Sequence, residues 1–335
     1  MNNKVMNAAV LHAIGDLRYE QVPVPEVLED EVLIKIKACG VCGSDIPRVF
    51  TKGTYHFPTI PGHEYAGEIV ESNDPALLGR RTAVFPLLPC HQCPPCQVGE
   101  FANCLHYDYY GSRRDGAFAE YIAVKKANLI LAPDTLSYEC AAMCEPGAVA
   151  RAAIRHMNVA LGDLVVIYGA GPIGLIAAQW AKRAGAGLVR VVDISEEKLA
   201  FAAKFGFESY DPEKDGAADA ALEGTGASAA LNNAIRALKA HGKLVLMGNP
   251  MGDMNIKSDV YSQILRKELH ITGTWNSSYN DQINDWKETV AAMSDGSIQY
   301  EPLITHRFPL AQCNEALEMM RDKKEFFTKV MLVNN

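Results

Sequence analysis

A chain of 335 residues is long for one hydrophobic core and comfortable for two domains. Hydrophobic residues make up 48% and charged residues 21%, the balance of an ordinary globular protein. A net charge of −8 argues against nucleic acid or an anionic membrane as partner, since both need a basic face. Residues Met1 to Val10 hold no apolar run long enough for an export signal. A cytoplasmic location is therefore expected, with the nine cysteines as metal ligands or free thiols rather than disulfides.

Residues 1–60 alternate apolar and polar side chains in short runs, as in Val32-Leu33-Ile34-Lys35-Ile36-Lys37, which predicts a small, mostly β region. Within it Cys42-Gly43-Ser44-Asp45 stands about one supersecondary unit before Gly62-His63-Glu64. A thiolate, an imidazole and a carboxylate suit Zn²⁺, and a catalytic zinc keeps one position open. Pro47 leaves room for no more than a helical turn after Cys42. Strands are expected over 63–70, 80–89 and 116–124.

Between the last two lie Cys90, Cys93, Cys96 and Cys104, spaced C-x2-C-x2-C-x7-C. Four thiolates close a tetrahedral shell and leave no position for substrate, so this lobe at 88–106 reads as a structural zinc site. The bacterial iron–sulfur run closes with a three-residue spacer, and here the spacer is seven. Cys39, Cys140, Cys144 and Cys313 are isolated and read as small buried hydrophobes, with Cys39 a minor alternative ligand.

Ser137 to Met157 is alanine-rich and helical in pattern. From 164 onward, strands at 164–168, 188–192, 219–223, 243–247 and 269–273 alternate with helices at 172–184, 195–205 and 227–239, which implies a parallel sheet. The apolar stretch Leu164 to Ala181 is interrupted by three glycines and a proline, so it reads as strand–turn–helix and not as a membrane span. Its core is Gly169-Ala170-Gly171-Pro172-Ile173-Gly174, a dinucleotide fingerprint in the required strand-to-helix context. Gly169 allows the turn, Gly171 the approach of pyrophosphate, and Gly174 close packing of helix on strand. Asp193 follows 19 residues past Gly174, where a carboxylate takes the ribose 2′-OH and repels a 2′-phosphate, which favours NAD over NADP. After about 275 the pattern breaks up, leaving one amphipathic helix over Leu310 to Met320.

With these motifs in place, the chain resembles the zinc-dependent medium-chain alcohol and polyol dehydrogenases. The resemblance covers nearly the whole chain. It also takes in Gly67, Asp115-Gly116-Ala117-Phe118-Ala119-Glu120-Tyr121 and Glu145-Pro146. It implies an α/β protein with a GroES-like, mostly β catalytic domain over 1–140 and 275–335 and a Rossmann cofactor domain over 141–274. It further implies two zinc ions per chain, one catalytic and one in the cysteine lobe. Cys42 and His63 match catalytic-zinc ligands, Glu64 a ligand or near-ligand, Glu145 a carboxylate that binds the metal directly or through water, and Ser44 the proton-relay hydroxyl.

One departure is Asn73, six positions after Gly67, where a small residue is usual; a local change of loop away from the metal is expected. Within the family, Cys42 to Phe50, Phe85 to Cys90, Tyr110 to Gly116 and Ile264 to Leu269 resemble the branch that oxidises galactitol 1-phosphate to tagatose 6-phosphate. Sorbitol-type members share several of these stretches, so an unphosphorylated polyol is the alternative. A non-catalytic nucleotide-binding protein is a further reading that Cys42 and His63 oppose. For a phosphate group the candidates are Arg113 and Arg114, and more weakly Arg48 and Lys52. The expected partners are a small polyol or polyol phosphate and further copies of the chain, as a dimer or tetramer.

Overall fold

The computed structural model describes residues 4–334; residues 1–3, at the head of the stretch read for an export signal, and residue 335 lie outside it. The chain divides into two compact units, Met1–Pro146 with Ser278–Asn335, and Gly147–Ser277. The sequence places these changes at 140/141 and 274/275.

The first unit is built round the strand Glu31–Val41, which bonds antiparallel to Glu64–Glu71, Tyr121–Lys125 and Lys329–Val333. A strand with partners on both edges is buried nearly throughout, so only Lys35 and Lys37 keep partial exposure. The seven-stranded sheet extends through Ile304–Pro309 on one side and Arg81–Val84 and Leu129–Leu131 on the other. Val5–Ala13 and Asp16–Pro23 form a separate hairpin.

The strand expected over 80–89 is two, Arg81–Val84 and Leu87–Leu88, split where Pro86 has no N–H to offer a ladder. The strand expected over 116–124 is Tyr121–Lys125. Its missing start has another use, since the N–H groups of Gly116, Ala117 and Phe118 donate to the carbonyls of Ile60, Gly62 and Pro61. The helix expected over Ser137 to Met157 is two, Tyr138–Ala142 and Cys144–Met157.

The second unit is an all-parallel sheet of Leu164–Tyr168, Leu188–Val192, Glu208–Ser209, Ala218–Glu223, Leu238–Leu246 and His270–Gly273. In space they run third, second, first, fourth, fifth, sixth, the doubly wound dinucleotide-binding order. Leu164–Tyr168 lies between two partners and all five of its residues are buried. The order reverses beside this strand, so the glycine loop leaves it at the switch point where such sheets bind ligands. Glu208–Ser209 escapes a pattern search because both residues are exposed.

Asp285–Ser294 is a helix the sequence pattern did not suggest. Trp286, Thr289, Ala292 and Met293 form its buried stripe, and the Asn284 side chain caps it by accepting from the Lys287 N–H at 2.8 Å. No helix among the described residues is long and apolar enough to cross a membrane.

Candidate metal centre and cofactor loop

Cys42 follows directly on the central strand Glu31–Val41, and Glu64 opens its neighbour Glu64–Glu71. The antiparallel register sets Glu64 opposite Gly40, so thiol and carboxylate arise side by side. A Cβ at position 40 would push the Glu64 carboxylate out of its present place, so glycine there lets thiol and carboxylate stay close. His63 is aimed by the turn before it. Gly62 has φ +97°, and Gly111 and Gly116 press on its backbone where a Cβ would not fit. One donor atom from each of Cys42, His63 and Glu64 lies within 4.8 Å of the others.

Several residues that sequence reasoning missed support this cluster. Asp45 is fully buried; its Oδ2 accepts from the Cys42 N–H at 3.0 Å and its Oδ1 from Arg48 Nη1 at 2.5 Å. His63 Nδ1 is buried without a hydrogen-bond partner, 3.6 Å from Asp45 Oδ1. Lys329, from the C-terminal strand, places Nζ 2.5 Å from Glu64 Oε2, with both groups buried. Burial alone would lower the Lys329 ammonium, but Glu64 and Cys42 outweigh it and raise its pKa, so the lysine is a cation. Burial, with Glu64 and Asp45, pushes the Cys42 thiol up to about 12 even with Lys329 acting the other way, so the thiolate ligand forms only when a metal ion takes the place of its proton.

Removing the lysine charge leaves a buried carboxylate unpaired, which costs about 3–5 kcal/mol. Lys329→Met is therefore expected to lower the urea midpoint of the metal-free protein strongly, and that of zinc-loaded protein less. Equal losses with and without zinc would show that Glu64 does not face the ion.

Glu145, near the start of Cys144–Met157, is buried and stands outside the three-donor set. Burial pushes its carboxyl up to about 7, with His63 acting in the opposite direction and Glu64 adding to the rise. The Tyr109 hydroxyl lies 3.4 Å from Glu145 Oε1, and the Tyr109 ring meets His63 edge-on with centroids 5.9 Å apart. Ser44 is half-buried, and its N–H points at the Cys42 sulfur at 3.5 Å.

The second cluster holds the sulfurs of Cys90, Cys93, Cys96 and Cys104 within 4.8 Å of one another. Tetrahedral zinc with Zn–S of about 2.3 Å sets neighbouring sulfurs about 3.8 Å apart. The Cys90–Cys96 and Cys93–Cys104 separations are both 3.9 Å, so the donors fit that ion. N–H groups of Gln92 and Cys93 hold the Cys90 thiol down at about 6, whereas burial pushes the Cys96 thiol up to about 12, so the full set of thiolates needs an ion among them. Cys39 lies elsewhere, in the apolar core of the first unit.

In the second unit Gly169 has φ +107°, Gly171 is the N-cap and Pro172 opens the helix Pro172–Arg183, with Ile173 in its first turn. A Cβ on Gly174 would strike the Gly169 carbonyl. Asp193 ends the second strand's reach, with Oδ2 accepting from the Ala170 N–H at 2.9 Å and Oδ1 from the Ser195 N–H at 3.0 Å. Lys198, another residue the sequence did not flag, sits with Nζ 3.8 Å from Asp193 Oδ2.

Residues 28–134 match the family model described as the alcohol dehydrogenase GroES-like domain, and residues 172–295 match that of the zinc-binding dehydrogenases. The galactitol 1-phosphate 5-dehydrogenase of Escherichia coli (strain K12) is 36% identical over 90% of this chain and 92% of its own. The chain belongs to the zinc-binding, medium-chain alcohol dehydrogenases. The sorbitol dehydrogenase of Bacillus subtilis (strain 168) is 32% identical to this dehydrogenase over 98% of each. The crystal structure of galactitol-1-phosphate dehydrogenase from Escherichia coli superposes with a TM-score of 0.91 at 33% identity, over 98% of this chain and all of the other.

The two neighbouring arginines of this dehydrogenase behave differently. Arg114 is exposed and forms an ion pair with Asp108. Arg113 is half-buried, and its guanidinium lies over the rings of Tyr55 and Tyr107. Asp115 pairs with neither: its Oδ1 accepts from the Ile60 N–H at 2.9 Å. Arg48 is committed to Asp45. Asn73 donates to the Glu29 carbonyl at 2.9 Å, at the end of the strand Glu64–Glu71 remote from Glu64.

Proposed function

We propose that this chain oxidises a secondary alcohol of a polyol phosphate, galactitol 1-phosphate to tagatose 6-phosphate, with NAD as hydride acceptor and two zinc ions per chain. The observation that carries metal-assisted alcohol oxidation is the meeting of Cys42, His63 and Glu64 donors within 4.8 Å, and the 36% identical galactitol 1-phosphate 5-dehydrogenase supports the polyol phosphate. In this reading these three residues hold the catalytic zinc, and Cys90, Cys93, Cys96 and Cys104 hold the structural one. Bound zinc supplies Lewis acidity that lowers the pKa of a substrate hydroxyl. Ser44 Oγ takes the hydroxyl proton and passes it toward solvent. Glu145, steadied by Tyr109, adds a carboxylate beside the centre, and Asp45 keeps the His63 ring in its orientation. Gly169, Gly171, Pro172, Ile173 and Gly174 form the turn and helix start that receive pyrophosphate.

The sorbitol dehydrogenase relative, which spans almost all of this chain, supports an unphosphorylated polyol as the second reading. NADH formation against a panel of polyols and polyol phosphates, with metal content determined alongside, tests both. NAD is favoured because the Asp193 carboxylate stands where a 2′-phosphate would sit, and like charges so placed cost several kcal/mol. The kcat/KM ratio of NAD to NADP is expected to fall by about 100-fold in Asp193→Ala, where Lys198 faces the phosphate unopposed. An unchanged ratio would remove Asp193 as the discriminating group.

A homo-oligomer is supported by His270–Gly273, an edge strand with all four residues exposed and an unpaired ladder side available to a second copy. A reducing compartment such as the cytoplasm suits the nine cysteines, none of which is paired in a disulfide.

A further inference from the structure

A line of aromatic contacts leads from the candidate metal centre to a guanidinium. His63 meets Tyr109 at 5.9 Å between centroids, Tyr109 meets Tyr107 at 6.4 Å, and Tyr107 lies 4.6 Å from the guanidinium carbon of Arg113. Tyr55 covers the same guanidinium at 4.0 Å. Aromatic faces hold a guanidinium through its own flat face, which leaves the N–H edge free to fork onto an oxyanion. No carboxylate among the described residues pairs with Arg113, whereas Arg114 is paired with Asp108 and Arg48 with Asp45.

The backbone here is also fixed. Thr54 Oγ1 donates to the Ser112 carbonyl at 2.5 Å, and His56 Nε2 lies 3.0 Å from the Arg113 carbonyl. The loop that carries Tyr55 is thus tied to the loop that carries Arg113. Tyr55 itself is 65% exposed, so the clamp stands at the solvent boundary, where a charged group can enter.

We propose that Arg113, clamped by Tyr55 and Tyr107, is the specificity-determining residue that takes the phosphomonoester end of the substrate. The proposal rests on the polyol-phosphate reading above and adds which of two adjacent arginines does the work, and how it is held ready. A planar fork matches two phosphate oxygens at once, and a guanidinium already stacked on two rings loses little freedom on binding.

The test compares kcat/KM for galactitol 1-phosphate and for galactitol in the unmodified enzyme and in Arg113→Met, Arg114→Met and Tyr55→Ala. Loss of two charge-assisted hydrogen bonds is expected to lower the phosphate-to-free ratio in Arg113→Met by about 100-fold. Arg114→Met should keep the ratio of the unmodified enzyme. Tyr55→Ala, at an exposed position where folding is not at stake, should lower it by about fivefold. Inorganic phosphate should compete with galactitol 1-phosphate in the unmodified enzyme and lose that competition in Arg113→Met. A retained preference in Arg113→Met, or an equal loss with both substrates, overturns the assignment and leaves the polyol-phosphate reading standing. Equal kcat/KM of the unmodified enzyme for the two substrates removes that reading, and the phosphate site with it.

Discussion

Cys42→Ala is expected to form NADH from its polyol substrate at least about 1000-fold more slowly than the unmodified chain, with NADH binding intact. A Lewis acid at the reacting oxygen is worth several kcal/mol of transition-state stabilisation, and each 1.36 kcal/mol is a factor of ten in rate. Without the thiolate, an ion there would keep His63 and Glu64 as the remaining two of its three proposed donors. That carboxylate already has a competing partner, because Lys329 Nζ lies 2.5 Å from Glu64 Oε2. The glycine loop belongs to the other compact unit, Gly147–Ser277, so its fold does not depend on Cys42. Steady-state NADH formation and a fluorescence titration with NADH separate the two effects. Turnover within tenfold of the unmodified chain would show that Cys42 holds no catalytic ion.

The second large effect concerns the cysteine lobe. If the chain holds the two zinc ions proposed above, Cys93→Ser is expected to leave one of them and to open the segment 88–106 to proteases. Among the described residues, the lobe's apolar cluster consists of the four cysteines with Phe101 and Tyr107 against them, too little to hold a loop by burial alone. Metal binding contributes about 10–16 kcal/mol in small zinc-held folds. Losing even about 3 kcal/mol of this raises the open population about 100-fold, and cleavage rises with it. Zinc analysis and timed proteolysis read the two outcomes. Unchanged cleavage with one zinc missing would mean the lobe is held by its own chain. Tyr107 belongs both to this packing and to the Arg113 clamp, so the variant is also a second view of phosphate discrimination.

The cofactor unit was legible because its signals are local. A strand such as Leu164–Tyr168, buried on all sides, reads as an unbroken apolar run, and Gly169 to Gly174 follow within one turn. The candidate donors Cys42, His63 and Glu64 stood out in the sequence by residue type, but their meeting depends on the register that sets Glu64 against Gly40. Lys329 was not legible: it stands 265 positions from Glu64, and only the pairing of Lys329–Val333 with Glu31–Val41 brings the two together. Asp45 was within reach, since a carboxylate three residues after Cys42 can turn back onto its N–H. Arg113 and Arg114 are indistinguishable in sequence; Tyr55 and Asp108 separate them through contacts the chain forms only when folded. The helix Asp285–Ser294 was overlooked although Trp286, Thr289 and Met293 recur at helical spacing, because polar residues surround them.

An anomalous difference map collected at the zinc edge from crystals of the purified chain is the most direct check on the metal assignment. The arrangement described here requires one peak among the Cys42 sulfur, the His63 ring and the Glu64 carboxylate, and another inside the Cys90, Cys93, Cys96 and Cys104 sulfurs. An active, zinc-replete enzyme with no density at the first position would contradict it.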